Sequence, residues 1–222
     1  MAEALHNMRD AGKLTVSCKD RLNQAIQYFL DRLYMSRISI RMLISHHKAL
    51  YCPEESKKVG ERFIGTIDPA CDAAKVAKEA FSNAAFLCDQ MYMDAPKLDL
   101  AFTDLTNGNG EVSLVYIPSH LYQICFEVFK NSMRATMEFN DGSDYIPDVK
   151  VRIVKTNKDI SIKISDLGGG ISRKSSDNIF LYLYTSATRV KMPGGDMDGG
   201  AGGTTPMHGL GYGLPLSRLY AR

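Results

Sequence analysis

From Asp20 to about Tyr51 apolar residues recur at helical spacing, at Leu22, Ile26, Phe29, Leu33, Ile40 and Leu43, with no Gly or Pro among them. That period predicts one long amphipathic helix, ending near Cys52 and Pro53. A second helix is predicted from Asp68, an N-cap followed by Pro69 at the first helical position. It runs through Ala73, Val76, Ala80, Ala84 and Leu87 to near Tyr92. The two helices are expected to form an antiparallel pair. Asp94, Ala95 and Pro96 then change the texture of the chain, which places a division between residues 1–95 and 96–222.

Beyond that division strand-like runs alternate with one helix, so the pattern as a whole is α+β. Val112 to Ile117 reads as a strand, Ser119 as the cap of a helix running to about Phe139, and Val149 to Ile164 as a hairpin turning at Thr156 to Asp159. In the hairpin, Val149, Val151 and Ile153 share one face of the outgoing strand. Ile160, Ile162 and Ile164 share one face of the return strand, and both faces should enter one core. A short helical segment is expected at Ile179 to Tyr184. The following loop, Gly194 to Gly213, is too polar and Gly-rich to pack and is expected to move until a ligand binds it. A last helix is expected over Pro215 to Tyr220.

Composition narrows the function classes. With 222 residues, 45% hydrophobic and 23% charged, the chain can bury an ordinary core. Lys plus Arg at 27 against Asp plus Glu at 25, with no long basic run, argues against nucleic acid as a partner. The five cysteines are odd in number and never form a C-x-x-C pair, which fits a reducing compartment better than a disulfide framework or a zinc site. No apolar run approaches the roughly 20 residues of a membrane span, so a soluble chain is expected. Met1 to Leu14, with Glu3 and Asp10, reads as neither a secretory signal nor a transit peptide.

Candidate chemistry begins on the helix after Ser119. Gln123, Glu127, Lys130, Asn131, Arg134 and Glu138 fall within an arc of roughly 100°, and Glu127, Asn131 and Arg134 stack as neighbours. On the helix alone, a solvated amphipathic face is the better reading. Asp166 continues the face of Ile160, Ile162 and Ile164, so its carboxylate should point toward the apolar side of the sheet and need a donor there, such as the exocyclic amine of an adenine. Gly168, Gly169 and Gly170 follow, and without side chains they let a flat ring approach the backbone. Gly209-Leu210-Gly211-Tyr212-Gly213-Leu214 then opens a helix and offers unblocked N–H groups to an anion. It matches neither a dinucleotide-binding G-x-G-x-x-G, since position 214 is Leu, nor a P-loop.

That ordered set, Glu-x-x-x-Asn on a helix, Asp-x-Gly-x-Gly ending a strand, and Gly-x-Gly-x-Gly opening a helix, resembles the N, G1 and G2 boxes of the GHKL superfamily. Phe126 to Thr136, Gly209 to Tyr220 and Tyr28 to Ile44 further resemble the mitochondrial pyruvate dehydrogenase kinases, and the likeness runs from about Ala25 to the end. It implies an N-terminal helical bundle segment, part of a regulatory and substrate-recognition domain (1–95). A GHKL-type (Bergerat) α/β sandwich that binds ATP (96–222) follows, with the C-terminal strands missing and the chain truncated at both ends.

The resemblance also implies roles. Glu127 would be the general base and Asn131 the Mg²⁺ ligand. Asp166 would face the adenine. Arg134, Gly168, Gly170, Thr185, Ser186, Gly209, Leu210, Gly211, Tyr212, Gly213 and Leu214 would line the ATP. The implied activity is serine phosphorylation of the E1 alpha subunit of the pyruvate dehydrogenase complex, which inactivates it, with ATP and Mg²⁺ as cofactors and K⁺ admitted beside them. Implied partners are that subunit, the lipoyl domain of E2 and, in the full-length family, a second copy in a homodimer; the implied location is the mitochondrial matrix.

The sequence also departs from the family. Gln123 stands where related kinases usually carry a histidine, and it cannot titrate near neutral pH. Met1 to Asn23 does not match the family's upstream motifs, the chain ends at Arg222, and it has no Trp. Three alternatives stay open: a branched-chain 2-oxoacid dehydrogenase kinase, a truncated ATP-binding chain without catalysis, and a histidine kinase using His46 or His47. For the two histidines, an ordinary place near a helix C-terminus reads better.

Overall fold

The computed structural model describes residues 16–52, 62–105, 112–143, 145–185, 207 and 209–222. Its architecture is α+β. The long helix α1 (Val16–Tyr51) is followed by strand β1 (Asp68–Asp72), helix α2 (Ala73–Tyr92) and strands β2 (Leu98–Asp104) and β3 (Ser113–Tyr116). Helix α3 (Pro118–Phe139), strands β4 (Val149–Lys155) and β5 (Ile160–Ser165), the single-turn α4 (Arg173–Ser176) and helix α5 (Gly213–Tyr220) complete it. No helix among the described residues is long and apolar enough to cross a membrane.

The hairpin forms as its alternation predicts. Val151 pairs with Ile164 and Ile153 with Ile162, and the Thr156 N–H closes the turn on the Asp159 carbonyl at 2.9 Å. Val149, Val151 and Ile153 are fully buried, and Ile160, Ile162 and Ile164 pack against the same core. The sheet order is β2-β4-β5, with β2 parallel to β4, while β1 and β3 form a separate antiparallel pair. Strand β2 was not predicted. It pairs along one side only among the described residues, and Ala101, Phe102 and Thr103 are exposed in succession, so its text lacks the period-2 signal.

Asp68 does not cap the second helix. It opens β1, is 3% exposed, pairs with Arg62 and accepts the Ala70 N–H at 2.9 Å. The cap is Asp72, whose Oδ1 accepts Ala74 N–H at 2.9 Å and Lys75 N–H at 3.0 Å. Pro69 therefore lies in a short strand, at an irregularity of the β1–β3 register. Nor does Ser119 cap α3: Ile117 holds that place without a side-chain bond, and Pro118 supplies the first helical residue.

The expected antiparallel pair of α1 and α2 does not form. The buried face of α2, Ala73, Ala77, Ala80, Phe81, Ala84 and Cys88, seats on α3 instead, with Phe81 meeting Phe129 edge to face at 5.3 Å. Small residues let the two helix backbones approach closely, and Phe129, fully buried, contributes on the order of 1.5–3 kcal/mol. So α2, on the first side of the expected division at residue 95, shares one core with α3 and the sheet on the second side. Helix α1 packs against α5 and the turn at Leu181–Tyr182. His46 is held locally, its Nδ1 accepting the Thr66 N–H at 3.2 Å, and His47 packs on Tyr51, which favours the ordinary reading of both.

Instead of a helix at Ile179 to Tyr184, the chain makes the single turn α4 and then irregular turns through Leu183. Ser172 caps that turn, accepting the Ser175 N–H at 3.2 Å, which draws the helical signal six residues upstream. Most of the loop expected over Gly194 to Gly213 lies outside the described residues.

Candidate functional site

The polar stripe of α3 is half-buried. Glu127 and Lys130 side chains are only 16% and 12% exposed, and Lys130 Nζ lies 3.2 Å from Glu127 Oε1. Gln123 Nε2 makes a long contact to the same oxygen at 3.5 Å. One turn on, none of the described residues hydrogen-bonds the Asn131 amide, so its oxygen is available. Arg134 Nε is buried without a hydrogen bond. Its pairing with Glu138 at 3.7 Å is an ion pair too long to count as one.

Both glycine turns close on this helix. Gly168 packs so tightly on it that a β-carbon there would stand 2.6 Å from the Ala135 carbonyl carbon and 2.9 Å from the Thr136 nitrogen. The next glycine, Gly169, has φ +79° and faces the Phe139 ring; Asn140 Nδ2 ties the turn down by donating to the Leu167 carbonyl at 3.3 Å. Gly170, also at positive φ, faces open space. From the other side Gly213, the first residue of α5, meets the Glu127 carboxylate itself. Two glycine turns about 45 residues apart in sequence thus both rest on α3.

Asp166 corrects an expectation. It is exposed rather than turned into the core, and Oδ1 accepts the Gly168 N–H at 3.0 Å. The strand ends at Ser165, so the alternation stops one residue early and the side chain folds over the turn instead. Gly209 and Leu210 are exposed. Gly211, at φ +77°, accepts the Leu183 N–H at 3.1 Å and presses on the Tyr184 backbone, while Tyr212 and Leu214 are half-buried. Thr185 is exposed at the end of the described turn, and Ser186 lies outside the described residues.

One part of the site was not foreseen. Helix α1 grips both stalks of the Gly-rich loop. Gln27 accepts the Tyr182 N–H at 2.7 Å and donates to its carbonyl at 3.2 Å. Asp31 accepts the Tyr182 hydroxyl at 3.2 Å, Arg218 at 3.4 Å and Arg222 at 3.2 Å. Tyr34 stacks on Tyr182 and meets Tyr212 edge-on, with centroids 5.6 and 5.7 Å apart. Burial and the Asp31 carboxylate push the Tyr182 hydroxyl well above its ordinary pKa, so it stays a donor. The one trace in the sequence is a polar pair, Gln27 and Asp31, spaced i and i+4 on an amphipathic helix.

The arrangement offers a carboxylate, an amide oxygen, a half-buried guanidinium and two partly exposed glycine turns beside α3, a combination suited to holding phosphates and moving a proton. Known families agree. The model for the histidine kinase-, DNA gyrase B- and HSP90-like ATPases matches residues 116–222, and that for the mitochondrial branched-chain alpha-ketoacid dehydrogenase kinase matches residues 1–68. The mitochondrial pyruvate dehydrogenase (acetyl-transferring) kinase of Drosophila melanogaster is 49% identical over 201 residues, which are 89% of this chain and 46% of that protein. The kinase of Ascaris suum is 44% identical over 225 residues, 100% of this chain and 52% of that protein. Isozyme 3 from Homo sapiens is 44% identical over 198 residues, 89% and 47%. The chain thus spans about half the length of the curated relatives it matches. On its motifs, their order and these likenesses, the chain belongs to the mitochondrial pyruvate dehydrogenase kinase family of GHKL kinases.

Proposed function

We propose that this chain carries the ATP site of a mitochondrial protein-serine kinase acting on the E1 alpha subunit of the pyruvate dehydrogenase complex. The reading rests above all on Gly213 lying against the Glu127 carboxylate, because that contact brings the α3 stripe to the N-terminus of α5. There the unblocked N–H groups of 209–214 would cradle phosphates next to a carboxylate within reach of a hydroxyl. In the transfer, the serine oxygen bonds to the γ-phosphorus, the bond from that phosphorus to the bridging oxygen breaks, ADP leaves, and the hydroxyl proton passes to Glu127.

Asn131 fits a Mg²⁺ role. Its oxygen is a hard donor that none of the described residues engages, and Mg²⁺ keeps several waters, so one protein oxygen suffices. When bound, the ion would neutralise phosphate charge. Arg134, whose Nε makes no hydrogen bond and only a long ion pair with Glu138, would add positive charge along the same surface, and K⁺ could supplement it. Asp166 spends one lone pair on Gly168 and keeps acceptor capacity for an adenine amine, with Gly168 and Gly170 leaving room for the ring. Thr185, Ser186, Leu210, Tyr212 and Leu214 would complete the enclosure. The matrix location, a lipoyl-domain partner and a homodimer follow from kinship alone.

A second reading, transfer to the branched-chain dehydrogenase, is favoured by the description of the model that matches residues 1–68. Offering labelled ATP with each dehydrogenase E1 component separates the two. Acid-stable label on pyruvate dehydrogenase E1 alpha supports the proposal; label on the branched-chain E1 supports the second reading, and acid-labile label on the chain itself would revive His46 or His47. ATP binding with no transfer to either substrate would leave a nucleotide-binding chain without catalysis.

A further inference from the structure

Building on the reading of Glu127 as the base, we infer that Lys130 is a positioning residue that fixes which carboxylate oxygen receives the proton. The two oxygens are not equivalent. Oε1 is held by Lys130 at 3.2 Å and approached by Gln123 at 3.5 Å. Oε2 has no hydrogen-bond donor among the described residues and lies against Gly213, at the end of the helix where phosphates would sit. Oε2 is therefore the oxygen free to take a proton, and its lone pairs face the site.

Lys130 is itself held in place. An ordinary surface lysine extends its ammonium into water, but this side chain is only 12% exposed and its Nζ lies 5.2 Å from the centroid of the Phe126 ring. Phe126 stacks on Tyr122 at 5.7 Å and 12°, and the Tyr122 hydroxyl accepts Asn83 Nδ2 at 2.8 Å. An ordered row thus runs from the surface of α2 through two rings to the ammonium and ends on Oε1. If Lys130 merely paired a helix face, its loss would alter stability and nothing else; if it gripped phosphate, its loss would weaken ATP binding whatever residue stood at 127. Acting through Glu127, it must instead lose its effect once that carboxylate is gone.

A double-mutant cycle on the kinase-active protein reads this directly. Lys130→Met is expected to lower the rate of transfer about tenfold, with ATP affinity, followed by a fluorescent nucleotide, and melting temperature little changed. Lys130→Arg, which keeps a donor and a charge over the ring, should restore most of the rate. In the Glu127→Gln background, Lys130→Met should change the residual rate less than about twofold. An equal loss in both backgrounds, a weakened ATP affinity or failure of the arginine variant to recover would overturn the inference. Should Glu127→Gln alone retain full transfer, the base assignment falls first and Lys130 with it, whereas a large loss there with no effect of Lys130→Met removes the positioning role only.

Discussion

Gly213 stands with its α-carbon against the Glu127 carboxylate, so close that an added methyl group would overlap Oε2. Its φ is not positive, so alanine fits the backbone and would stabilise the first turn of α5 by roughly 0.5–1 kcal/mol. The atom in the way is the far end of a flexible side chain, which can swing aside. Gly213→Ala is therefore expected to leave the melting temperature equal or higher while lowering phosphoryl transfer on the order of tenfold, since the proposed base is displaced by about an ångström. A variant with normal transfer would show that the contact has no catalytic meaning.

Gly168 makes the opposite case. Its β-carbon would meet the α3 backbone, which cannot move without breaking the helix, at 2.6 Å from Ala135 C. Gly168→Ala should cost about 1–3 kcal/mol by overpacking, visible as a lower urea midpoint. At Gly170 there is open space, so alanine should cost only the strain of φ +76°, roughly 1 kcal/mol. Equal losses at the two positions would mean that the turn, not its seat on α3, sets the cost.

How far the text of the chain revealed this site depends on which interactions were local. The stripe of Glu127, Asn131 and Arg134 was legible because helical period is a property of neighbours, and so was the hairpin, whose turn and alternation lie within 20 residues. The seats of Gly168 and Gly213 on α3 were not legible as contacts, because a missing side chain leaves no chemical trace of what approaches it. Asp166 was misplaced because a strand's end is set by where the chain turns, which periodicity does not encode. Asp68 and Pro69 mimicked a helix start so well that β1 was hidden; only the pairing with β3 and the burial of Asp68 against Arg62 decide it. The pairing of α2 with α3 was decided by shape: the small Ala77, Ala80 and Ala84 faces look alike to any partner helix.

Asp31 gathers the Tyr182 hydroxyl, Arg218 and Arg222 onto one carboxylate. Asp31→Ala would remove the acceptor while leaving a buried hydroxyl and a half-buried guanidinium unpaired, at an expected cost of about 1–3 kcal/mol. Tyr182→Phe removes only the hydroxyl and should cost nearer 1 kcal/mol, because the ring keeps its stacking on Tyr34. Chemical denaturation of both variants checks the order. If the two losses were equal, the arginines would add nothing to the cluster.

The pH dependence of stability should show a plateau bounded by groups away from the stripe. Burial lowers the His120 pKa, so the unfolded chain binds more protons there. That contribution is fully present above the ordinary histidine value of about 6.5 and is lost as pH falls through the folded value. On the basic side, burial pushes the thiols of Cys71, Cys88 and Cys125 up to about 11, with the Asp68 and Asp72 carboxylates adding at Cys71 and Asp89 and Asp94 at Cys88. Here the folded chain holds its protons longer, so stability is intact below about 8.5 and is lost as pH rises through the folded value. Urea midpoints should therefore be level between roughly pH 6.5 and 8.5 and fall on both sides, and His120→Gln should flatten the acidic arm alone. The same burial makes the three thiols poor nucleophiles. Among the four described thiols, iodoacetamide at pH 8, read by peptide mass mapping, should modify half-buried Cys52 first and reach Cys71, Cys88 and Cys125 only after urea unfolds the chain. Rapid labelling of Cys125 in the native protein would contradict its place on the buried face of α3.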